Sequence, residues 1–133
     1  MRYISNKALL VVTAVADIAI CGHDKPVKAN KIRDRLQLPG RRALETILQV
    51  LVHAGILVSV QGPQGGYRLA REPHNISVLD ILCASGLLDR CNDEPDDSES
   101  ILVVVPALLA AGEQLARQLC KITVADLMRI PAT

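Results

Sequence analysis

Apolar residues run almost unbroken from Ala8 to Cys21, as in a helix buried on several sides, and Cys21-Gly22-His23-Asp24 ends it with turn chemistry. After Pro26 the pattern changes. Val27, Ile32 and Leu36 share one face of a short amphipathic helix whose charged residues point outward. Leu38-Pro39-Gly40 breaks that pattern. A third helix then places Leu44, Ile47, Leu48, Leu51 and Val52 on one stripe until Gly55 stops it. Two short helices joined by a brief turn make a helix-turn-helix unit.

The period then drops to that of strands. Ile56 to Val60 is rich in β-branched residues, Gln61 to Gly66 carries turn residues, and Tyr67 to Ala70 returns as a partner, which predicts a β-hairpin or wing. Ser77 followed by Asp80 reads as a capping box for a helix through Cys83. Residues 89–100 are polar and acidic and predict a flexible loop. A long apolar helix follows from about Ile101 to Cys120, with Pro106 tolerated near its start. Thr123 with Asp126 caps a last short helix through Met128. The expected fold is mostly α with a small β-hairpin.

Length and composition narrow the classes. The chain has 133 residues, half of them apolar, enough for a single core. The longest apolar stretches, Ala8 to Ala16 and Ile101 to Ala111, fall short of the roughly 18 residues that cross a bilayer. Asp17 interrupts the N-terminal apolar run, which argues against a secretory signal and for a cytoplasmic protein. Cys21, Cys83, Cys91 and Cys120 are irregularly spaced and are expected to be reduced. There is no Trp or Phe, and only Tyr3 and Tyr67, so stacking platforms for single-stranded nucleic acid are missing.

The net charge of +1 hides a division. Residues 1–71 hold eleven Lys and Arg against four acids, a balance of +7, and residues 72–133 hold four against ten, a balance of −6. The basic half suits a polyanion and the acidic half would face away from it. The third helix opens on Arg41-Arg42, with Glu45, Thr46 and Gln49 on the face its apolar stripe leaves free, residue types that read base edges or phosphates. Winged helices also serve as protein-contact modules, so an adaptor binding a protein through the acidic loop is the alternative. No catalytic Ser-His-Asp, Cys-His or paired-carboxylate arrangement recurs on one face, and no phosphate-cradling loop opens a helix, so an enzyme is not expected.

The stretch Ala43 to Leu48, continuing through Ala54-Gly55-Ile56-Leu57 to Gly62-Pro63-Gln64-Gly65-Gly66-Tyr67-Arg68-Leu69-Ala70, resembles the BadM/IscR/NsrR winged-helix regulators, the Rrf-type family. Met1-Arg2, Asp17-Ile18-Ala19, Pro26-Val27 and Ile122 to Leu127 extend the resemblance over almost the whole chain. It implies a homodimeric transcriptional regulator, by family analogy a repressor, on a palindromic double-stranded DNA operator. The third helix would enter the major groove and the wing the adjacent minor groove. On this reading residues 1–75 are the winged helix-turn-helix domain, and 76–133 a linker helix, an acidic loop and a dimerisation helix with Leu102, Val105, Leu108, Leu109, Leu115 and Leu119 as its apolar face. The candidate DNA-binding residues are Arg2, Lys7, Lys28, Lys31, Arg41, Arg42, Glu45, Thr46, Gln49, Gln61, Gly62, Pro63, Gln64, Gly65, Gly66 and Arg68. Gly62, Gly65 and Gly66 would permit close backbone approach, and Tyr67 would anchor the hairpin to the core.

Two departures from the family pattern matter. Gln61 stands where an Arg commonly precedes Gly-Pro, which removes one minor-groove charge. Iron–sulfur members carry three closely spaced cysteines in the loop before the long helix, and this chain has only Cys91 there. Cys83 and Cys120, in helical segments, read as buried small hydrophobes. No cofactor or metal site is therefore favoured; an atypical iron–sulfur cluster with ligands shared across the dimer is the alternative. Cys91, flanked by Asp89, Asp93 and Glu94, is the sensor candidate for a redox or thiol switch, beside a small ligand or protein effector.

Overall fold

The computed structural model describes residues 5–22, 25–37, 41–88 and 105–129, with only the backbone for 41, 105 and 106. Six helices and one hairpin follow in the order α1 (Asn6–Cys21), α2 (Ala29–Leu36), α3 (Arg41–His53), β1 (Leu57–Val60), β2 (Gly66–Leu69), α4 (Val78–Ala84), α5 (Val105–Lys121) and α6 (Val124–Met128) among the described residues. A single 3-10 turn, Pro73–Asn75, which no periodicity announces, leads from the hairpin to α4.

α1 is the axis of the molecule. Ser5 accepts from the Ala8 amide to cap it, and Ala8, Val11, Ala14, Val15, Ile18 and Ala19 are buried along it. That spacing is one broad helical face. It meets Ile32 of α2, Leu44, Leu48 and Leu51 of α3, Ile56, Leu57 and Tyr67 of the hairpin, and Ile81 of α4 in one cluster. A second cluster joins Ala8 at the start of α1 to Val78, Leu82 and Leu119.

The two short helices with capping boxes are tied together. Ser77 and Thr123 each accept from the amide of the carboxylate residue three positions on, while Asp80 and Asp126 accept from the cap amides in return. The same two cap residues pair as an antiparallel bridge, with Val78 N–H donating to the Ile122 carbonyl and Val124 N–H to the Ile76 carbonyl, both at 2.8 Å. One short backbone ladder thus orders two helix starts 46 residues apart in sequence, Ser77 and Thr123.

Three expectations need correction. Val27 is not the first residue of the α2 face; it lies before α2 and exchanges 2.8 Å backbone bonds with Tyr67 of the wing. Leu119 is buried against Ala8, Val78 and Leu82 of its own chain, because that position of α5 packs onto the start of α1 and onto α4. Cys120, one residue further round that helix, is exposed rather than buried, and Cys83 is half-buried. The acidic loop 89–100, Cys91, Arg2, His23 and Leu102 lie outside the described residues, as do the side chains of Arg41 and Val105.

Candidate nucleic-acid interface

The two faces of α3 do different work. Leu44, Leu48 and Leu51 are buried, and the opposite side exposes Arg42, Thr46, Gln49, Val50 and His53, with Glu45 half-buried between them. Positions 42, 46, 49, 50 and 53 fall on one helical stripe. Together with Glu45 and Tyr67 they line a shallow concavity of about 440 Å³ between α3 and the wing. Val50 and His53 were not singled out by sequence, although they continue the spacing of Arg42, Thr46 and Gln49.

Two bonds shape this face. Thr46 Oγ1 donates to the Arg42 carbonyl at 2.8 Å, which holds the hydroxyl along the helix and leaves its oxygen able to accept from outside. Gln49 Nε2 donates to the Tyr67 hydroxyl at 3.1 Å. Tyr67 is 8% exposed, packed by its ring and bridged by its backbone to Val27, so it anchors the hairpin and fixes one end of Gln49. The amide carbonyl of Gln49 keeps its acceptor capacity.

The wing geometry gives Gly65 and Gly66 a role inside the fold. A side chain at Gly65 would collide with the Val60 carbonyl oxygen across the turn. Gly66, at φ 149°, would place a Cβ 2.5 Å from the Val27 carbonyl oxygen. These two positions are glycine because the hairpin closes on itself and on Val27, whatever it meets outside. Gln61, Gly62, Pro63 and Gln64 form the exposed tip.

Lys7, Lys28 and Lys31 are exposed, and Lys28 occupies the N-cap position of α2 without making a capping bond. Arg35 of α2 is committed to structure: Nε and Nη2 donate to the two carboxylate oxygens of Asp17 at 2.8 and 2.7 Å. Arg68 is placed differently. It is exposed, does not line the concavity beside α3, and borders a separate groove together with Arg71.

Among the described residues no three of His, Cys, Asp and Glu converge on a common point, and no buried side-chain nitrogen or oxygen is left without a partner. Cys21, Cys83 and Cys120 stand on α1, α4 and α5. The described cysteines do not fit a cluster. No described helix is long and apolar enough to cross a membrane.

Comparison with known proteins agrees with the geometry. Residues 4–130 match the model of the Rrf2 family, described as iron-dependent transcriptional regulators. The chain is 33% identical over 81 residues to the HTH-type transcriptional regulator IscR of Vibrio campbellii, which is 61% of this chain and 48% of that protein. It thus spans about half the length of that relative. It is 31% identical over 118 residues to protein rrf2 of Nitratidesulfovibrio vulgaris, 85% of this chain and 78% of the other. IscR of T. potens superposes with a TM-score of 0.74 at 29% identity, covering 99% of this chain and 94% of that one. CymR, the global cysteine regulator of B. subtilis, shares the fold with a TM-score of 0.75 at 23% identity, over 99% of this chain and 100% of its own. These relatives are regulators and not enzymes. With a winged helix-turn-helix in place and a family match spanning residues 4–130, the chain belongs to the Rrf2 family of transcriptional regulators.

Proposed function

We propose that the protein is a cytoplasmic homodimeric repressor that binds a palindromic double-stranded DNA operator, with α3 in the major groove and the tip Gln61 to Gln64 at the adjacent minor groove. The observation that carries the reading is the exposed stripe Arg42, Thr46, Gln49 on α3, set beside a wing whose closure Gly65, Gly66 and Val27 enforce. Arg42 suits guanine or phosphate, and the Gln49 carbonyl and Glu45 carboxylate suit the amino groups of adenine or cytosine. Lys7, Lys28 and Lys31 supply phosphate contacts around it, and Arg2 and Arg41 belong to the same basic set by sequence.

Dimerisation is supported by α5. Leu108, Leu109 and Leu115 are 68%, 47% and 48% exposed, an apolar strip that a second copy would cover. The chain works without a conventional iron–sulfur cluster, since one cysteine stands where three are required. That leaves the signal to another chemistry. The test is the double variant Arg41→Ala/Arg42→Ala in a duplex gel-retention assay. Loss of retention with an unchanged sedimentation coefficient supports the assignment, and full retention removes α3 from the groove.

A further inference from the structure

Away from α3, a groove of about 770 Å³ opens between the end of α1, strand β2, the 3-10 turn and the end of α6. Apolar and polar surface line it in similar measure: Val58 and Leu69 are half-buried, and Met128 reaches the surface at 37% exposure. Its rim is polar and cationic, with Arg68, Arg71 and Asn75 all exposed. Neither arginine has an acid within ion-pairing distance among the described residues, where the pairs are Arg33 with Asp34 and Arg35 with Asp17. Glu72 also lines the groove, so its own charges sum to a single positive one.

We propose that this groove binds a small organic acid whose carboxylate is held by Arg68 and Arg71 and whose apolar part lies on Val58, Leu69 and Met128. The volume falls within the range of small-molecule sites, and apolar side chains set beside cations suit an amphipathic anion. Guanidiniums bind a carboxylate through charge-assisted bonds. The walls also give binding a consequence. β2 carries the wing, whereas α6 belongs to the C-terminal segment, so an occupant bridges the two. Its role as an effector rests on the regulatory reading above; the binding itself does not.

The experiment is a titration of the full chain with 4-phenylbutyrate, followed by two-dimensional 15N NMR, alongside the neutral isostere 4-phenylbutanol. Saturable shifts at Leu69, Asn75 and Met128 are expected. Affinity should fall about tenfold for the alcohol, and about as much for Arg68→Ala/Arg71→Ala with wild-type ligand, the usual worth of a charge-assisted bond. Equal binding of acid and alcohol, shifts centred on Leu108 and Leu115, equal affinity of the double variant, or no saturable shift at millimolar ligand each overturn the proposal. None of these readouts involves DNA, so a failed operator assay and a failed ligand titration remain separate results.

Discussion

Arg35 of α2 meets Asp17 of α1 fork to fork, with both carboxylate oxygens engaged at 2.8 and 2.7 Å. The hydrogen bond to Asp17 raises the Arg35 pKa above its already high ordinary value. A raised value means that this contribution is present throughout the neutral range and fades only in strong alkali. α2 buries only Ile32, so this pair is the main polar tie that orients the first helix of the helix-turn-helix on α1. Because the Arg35 side chain is 40% exposed, solvent screens the pair, and Asp17→Asn should cost about 1 kcal/mol. A urea midpoint reads that loss, and amide exchange in α2 should quicken more than in α4. A unchanged midpoint and exchange pattern would show that apolar packing alone sets α2.

The wing glycines separate a fold role from a surface role. Gly65→Ala and Gly66→Ala force the turn away from Val60 and Val27, and each should cost at least about 2 kcal/mol. Gly62 has φ 105° but open space around it, so Gly62→Ala should cost only about 1 kcal/mol. Equal losses at the three sites, measured by thermal unfolding, would contradict the closure of the hairpin on Val27.

α5 offers a similar contrast along a single helix. Leu108→Glu with Leu115→Glu should leave the fold intact and shift the sedimentation coefficient from dimer to monomer. Leu119→Ala should instead lower stability by about 3 kcal/mol through the cavity it leaves beside Ala8, Val78 and Leu82. A dimer that survives both glutamates places the subunit contact elsewhere.

At the far end of the chain, backbone and hydroxyl hydrogen bonds from Thr123 hold the Asp126 carboxyl below the usual aspartate range. A lowered value means that the cap stabilises α6 above that range and is lost as the pH falls through the lowered one. Carbon-13 titration of the Asp126 carboxyl should show this, and Thr123→Ala should return it toward the ordinary value. An Asp126 that titrates normally in the parent chain contradicts the capping geometry.

What the sequence discloses and what it withholds follow from range. The two capping boxes, Ser77 with Asp80 and Thr123 with Asp126, are local signals, and both form as the residues predict. The α3 stripe is equally local, since Leu44, Leu48 and Leu51 fix by period which side Arg42 and Gln49 must take. The bridge between Ser77 and Thr123 joins segments far apart, and nothing in either segment specifies the other. Val27 fails as a helix residue for the same reason: its partner Tyr67 stands 40 positions away. Periodicity marks Leu115 and Leu119 alike as apolar, and only packing decides that Leu119 is covered by its own chain while Leu115 is 48% exposed. The side of the hairpin that turns Tyr67 toward Gln49 also appears only in three dimensions.

The central claim is that α3 and the wing read a duplex as a symmetric pair. The most direct measurement is selection from a random duplex library by the full chain, followed by affinity against salt for the enriched sequence. The account predicts an inverted repeat with half-sites about one helical turn apart, or a multiple of it, and an affinity that falls steeply as salt rises. Enrichment of no sequence, or of a single unrepeated element bound independently of salt, would contradict it.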